Sequence, residues 1–101
     1  MFHIYFDKKI VLILRKVGKN PQHNGIWIST LREHHASLKT DIPAITNFEF
    51  EHGENFDTTW LLLSDLLDDF ENAAIALCGL ISKKDHRIGK VTPKSFLLVS
   101  D

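Results

Sequence analysis

A small single α+β domain, with an antiparallel sheet, one long amphipathic helix and one short helix, is the fold class this sequence predicts. Three observations predict it. Segments with a strand-like period of two occur at 2–6 and 48–51, and β-branched or apolar runs occur at 10–14 and 58–63. A stretch from about 65 to 83 carries apolar residues at helical spacing. The chain has 101 residues, enough for one hydrophobic core over 1–101 and too few for two.

The first strand follows from Phe2, Ile4 and Phe6 alternating with His3, Tyr5 and Asp7, the pattern of a half-buried strand. Ile10 to Leu14 is a continuous aliphatic run suited to a central strand buried on both faces. Asp7-Lys8-Lys9 between them reads as a tight hairpin turn or as a bend in one strand. Gly18 to Gly25, with two glycines, two asparagines and Pro21, is a loop. Gly25 to Ile28 makes a short strand. Thr30 followed by Glu33 predicts a capping box that opens a short helix over Leu31–Leu38, with a break before Pro43.

Phe48-Glu49-Phe50-Glu51 and Thr58 to Leu63 predict paired strands around a His52–Asp57 loop. The long helix is expected from Asp65 to Lys83, capped by Ser64, with Leu66, Phe70, Ala73, Leu77 and Leu80 as its stripe and Leu67, Ala74 and Ile81 widening it. Asp65, Asp68, Asp69 and Glu71 would complement its positive end. A basic irregular tail over 87–93 precedes a closing segment, Phe96 to Val99.

Composition narrows the function. A 44% hydrophobic and 25% charged chain is globular rather than disordered. The lone cysteine, Cys78, excludes an internal disulfide, which favours a reducing compartment, and its place near the helical stripe predicts a buried or half-buried thiol. Lys8 and Lys9 follow the first apolar run instead of preceding it, unlike a signal peptide. Uncharged apolar runs such as Ile10–Leu14 are far short of the ~20 residues that span a bilayer. A cytoplasmic protein with no membrane partner is expected.

The charges are sorted into blocks. Between Asp41 and Ser82 there is no Lys or Arg, but there are nine acids: Asp41, Glu49, Glu51, Glu54, Asp57, Asp65, Asp68, Asp69 and Glu71. Residues 1–40 carry +5, this block −9 and residues 83–101 +3, so a net charge of −1 hides a polarised chain. Such polarity bears on partners and association rates rather than on fold.

No motif specifies chemistry. His34 and His35 are adjacent, so on a helix they point about 100° apart and do not converge on a metal as an i, i+4 pair would. One of the two is expected to pack at the helix edge and the other to meet solvent. No Cys joins the other histidines at a ligand spacing, so no metal and no cofactor is expected. Arg32, His34 and His35 are the residues a small enzyme would use, but no catalytic constellation surrounds them, and the chain reads as a non-enzyme. Lys83, Lys84, Arg87 and Lys90 are the residues a nucleic-acid binder would use. A pI of about 6.6 and the absence of a recognition motif argue against that reading. Pairing of the acidic block of one copy with the basic flanks of another would make a homo-oligomer.

The acidic block is the strongest functional feature. Its field draws in a basic partner and raises association rates by roughly 10–10³-fold. Phe56 and Trp60 lie within it as potential anchors, Trp60 being expected in the core. With its small size, single cysteine and acidic segments Phe48 to Asp57 and Asp65 to Glu71, the chain resembles the bacterial immunity proteins of contact-dependent growth inhibition. The resemblance is one of class, without a shared motif. It implies binding of a cognate basic toxin domain, such as a nuclease, and occlusion of its active site. The expected contacts are Glu49, Glu51, Glu54, Phe56, Asp57, Asp68, Asp69 and Glu71.

Overall fold

A computed structural model describes residues 1–48 and 59–91. Within them the fold is α+β. Strands β1 (Phe2–Phe6), β2 (Lys9–Arg15), β3 (Gly25–Ile28), β4 (Leu61–Ser64) and β5 (Lys90–Val91) form one antiparallel sheet, accompanied by helices α1 (His35–Asp41) and α2 (Phe70–Ser82). The strand order is β1-β2-β3-β4. β5 pairs with Lys9 and Ile10 of β2, whose other edge is held by β1, so it continues the line of β3 beyond Ser29.

The hairpin reading of residues 7–9 is the correct one. Asp7 and Lys8 both take positive φ, 52° and 66°, which is the backbone of the two-residue turn whose twist matches the strands it joins. The register then skips Val11: Ile4 faces Leu12 while Tyr5 faces Ile10. This bulge lets Val11 and Leu12, neighbours in sequence, both enter the core. As expected of a central strand, β2 is buried from Ile10 to Ile13. β1 departs from expectation. It lies at the sheet edge and every one of its residues is exposed, because the helices stand over the central strands.

Leu12, Ile26, Ile28, Leu61 and Leu63 share one face of the sheet through their cross-strand register and join a single cluster with Leu38, Ile42, Ile45, Ala73, Leu77 and Ile88. Ile13, Trp27 and Leu62 lie on the other face, where the Phe48 ring meets Trp27 edge-on at 4.9 Å. Gly25 is required where β3 begins. Its φ is +132°, and a Cβ there would lie 2.1 Å from the Leu63 carbonyl oxygen.

Three element boundaries are corrected. The predicted helix over Leu31–Leu38 is a 3-10 turn at Arg32–His34 running into α1, which ends at Asp41. The capping box does not form. Thr30 is fully buried, and its hydroxyl donates to the Arg87 carbonyl at 2.6 Å, a partner 57 residues away that outcompetes the local cap. Helix α2 starts at Phe70 and not at Asp65. Ser64 is still in β4, the Asp65 N–H donates to the Asn24 carbonyl at 3.1 Å, and the Ser64 hydroxyl accepts from the Leu66 N–H. The chain therefore keeps its sheet contact for one residue longer and turns before it coils. β4 pairs with β3, and Leu62 also bridges to Thr46; the predicted strand at 48–51 falls largely outside the described residues, as does Phe96–Val99.

Candidate functional site

The nine acids of the central block have three different fates. Glu49, Glu51, Glu54 and Asp57, together with Phe56, lie outside the described residues. Asp41 and Asp65 are neutralised from the flanking basic blocks. Arg87 Nη2 stands 2.8 Å from Asp41, and Lys16 Nζ stands 2.9 Å from Asp65. Asp68, Asp69 and Glu71 remain exposed with no ion pair among the described residues. The first two sit in the turn that leads into α2, and Glu71 stands in its first turn, where the helix dipole favours negative charge. Asp69 Oδ1 accepts a local hydrogen bond from Asn72 Nδ2 at 3.0 Å.

Exposed apolar side chains that sequence reasoning assigned to the core or passed over lie within a few residues of these acids. Leu66 and Leu67 belong to the helical stripe only if the helix begins at Asp65. With α2 starting at Phe70 they move into the preceding turn and are 65% and 39% exposed. Ile75 is 70% exposed, one helical turn from Glu71. A signal for Ile75 was legible, since it lies off the stripe of Phe70, Ala73, Leu77 and Leu80. Cys78, expected to be buried or half-buried, is also exposed on this outer side of α2.

The basic tail is engaged internally. Arg87 donates from Nε and Nη2 to the Asp85 carboxylate at 2.9 and 2.7 Å and reaches Asp41 and Ser37 on α1. The Arg87 guanidinium holds the Asp85 carboxyl down at about 2, against an opposing push from burial. The two carboxylates in turn raise the pKa of Arg87. Lys90 bonds to the Thr59 hydroxyl and lies 5.0 Å from the centre of the Trp60 ring, and burial lowers its pKa. Trp60 is accordingly half-buried ahead of β4 and not a core residue. Lys84 faces Asp7 at 3.5 Å. Of the four cations proposed for nucleic acid, Lys83 alone makes no ion pair, hydrogen bond or ring contact among the described residues.

The two adjacent histidines are both half-buried and point to different neighbours. His35 Nε2 donates to the Thr59 carbonyl at 2.8 Å, and the His34 ring meets His86 edge-on at 5.2 Å. Among the described residues no group of three or more His, Cys, Asp or Glu converges as a metal site would, and no helix is long and apolar enough to cross a membrane. Comparison with family models, curated proteins and solved structures returns no match.

Proposed function

We propose that this chain is an immunity-type inhibitor that binds a basic toxin domain, with a nuclease as the target class, and blocks it without chemistry. The observations that support the reading are the exposed Leu66 and Leu67 next to Asp68 and Asp69 in the turn before α2, and the exposed Ile75 one helical turn from Glu71. Apolar anchors next to charge of one sign suit a partner whose basic groove needs both steering and desolvation. Glu49, Glu51, Glu54, Phe56 and Asp57 extend the proposed contact beyond the described residues. Phe56 is now joined as an anchor by Leu66 and Ile75. Since a toxin nuclease acts where nucleic acid is, the same reading puts the protein in the cytoplasm.

The test begins with a pull-down from the native host, with products of neighbouring genes co-expressed. A stoichiometric complex with a basic protein is expected, with an association rate that falls as salt rises. Combined Asp68→Asn, Asp69→Asn and Glu71→Gln should slow association by about tenfold, whereas Leu66→Ala and Ile75→Ala should speed dissociation. Unchanged rate constants in both sets of variants would remove the acidic turn from the interface.

A further inference from the structure

A second surface, independent of the acidic turn, lies on β1. This strand pairs with β2 on one side and with no other strand among the described residues, so its outer edge presents backbone N–H and C=O groups without a ladder. Its side chains are exposed on both faces, with Phe2 at 75%, Tyr5 at 46%, Phe6 at 38% and Ile4 at 37%. Edge strands are normally blunted by a lysine, a proline or a bulge. Residues 2–6 contain neither lysine nor proline, and the bulge falls on β2, so β1 itself stays regular.

The order Phe-His-Ile-Tyr-Phe is nearly the same read in either direction. We propose that the β1 edge docks a second copy of this chain, strand against antiparallel strand, about a two-fold axis through Ile4. In that register Ile4 faces Ile4 of the other copy, Phe2 faces Phe6, and His3 faces Tyr5. Opposed residues share a face, so each phenylalanine meets a phenylalanine and no like charges meet. It is also the one antiparallel register that pairs all five residues of the strand. A symmetric, self-complementary contact is what a two-fold dimer requires.

The exposed parts of Phe2, Tyr5 and Phe6 amount to roughly 300 Å² per copy at 150–250 Å² for a whole aromatic side chain. The contact therefore falls below the ~1,200 Å² of a standard interface, and its dissociation constant should be micromolar or weaker.

Sedimentation velocity from about 1 μM to 1 mM should show a concentration-dependent dimer. That dimer should persist near 0.5 M salt, where surface charge is screened within about 4–5 Å. Ile4→Lys places two like charges directly opposite each other and Tyr5→Lys charges the edge. Each should raise the dissociation constant about tenfold or more while circular dichroism stays native. In a Cys78→Ser background, Ile4→Cys should oxidise to a symmetric disulfide, and Phe2→Cys should not, because Phe2 faces Phe6. A monomer at every concentration would overturn the proposal. So would a dimer that ignores both lysines, one that dissolves in salt, or Phe2→Cys cross-linking as readily as Ile4→Cys.

Discussion

Replacing Arg87 by methionine should cost about 1–2 kcal/mol of stability at neutral pH, and the loss should fade in acid. Methionine keeps an apolar stem and removes only the guanidinium. That group is 14% exposed and contacts Asp85, which is 15% exposed, and Asp41, which is 49% exposed. Breaking a fully buried pair costs about 3–5 kcal/mol and a surface pair at most about 1, so a clasp between these limits falls in the middle. The same contacts set the pH dependence through linkage. Asp85 titrates at about 2 in the fold against an ordinary 3.8, chiefly through its bonds to Arg87. At about 1.36 kcal/mol per pH unit this bounds the contribution near 2.5 kcal/mol, and solvent access to the clasp reduces it. The folded pKa is depressed, so the stabilisation is complete above pH 3.8 and is lost as pH falls through about 2. Urea unfolding followed by Trp27 and Trp60 fluorescence, at pH 6 and at pH 2.5, measures both quantities. A midpoint lower by roughly 4–16 °C is the thermal equivalent. Asp85→Asn should cost a similar amount, and the double variant less than the sum. A loss under about 0.5 kcal/mol, or one of equal size at the two pH values, would refute the reasoning.

Two further outcomes follow from the backbone. Gly25→Ala must place a Cβ 2.1 Å from the Leu63 carbonyl oxygen at a φ of +132°, so it should cost at least about 3 kcal/mol or abolish folding, read by thermal melting. Lys8→Gly relieves a side chain held at φ 66° in the β1–β2 turn and should stabilise the protein by about 0.5–1 kcal/mol, read by the same melt.

Much of the fold was legible because it is written in short windows. The unbroken run Ile10–Leu14 suits a strand covered on both faces, and it lies in an interior strand buried from Ile10 to Ile13. The stripe Phe70, Ala73, Leu77, Leu80 requires a helix, and Ala73 and Leu77 are its buried residues. Legibility failed where a local signal met a distant competitor. Thr30 and Glu33 spell a capping box, but the Thr30 hydroxyl serves Arg87. Ser64 reads as a cap, but the sheet holds the chain through Asp65 and delays the helix to Phe70. That delay is what turns Leu66 and Leu67 outward, so the apolar half of the candidate site could not be seen from periodicity alone.

What the sequence determines by itself is the set of elements, their periodicity and the sorting of charge into blocks, since each depends on residues within a few positions of one another. The tertiary structure decides which charges remain free. Lys16 reaches Asp65 across 49 positions and Arg87 reaches back to Asp41, so the block that looks uncompensated along the chain is compensated in space at two of its described acids. An ion pair forms wherever folding brings opposite charges within about 4 Å, and no local pattern encodes that distance.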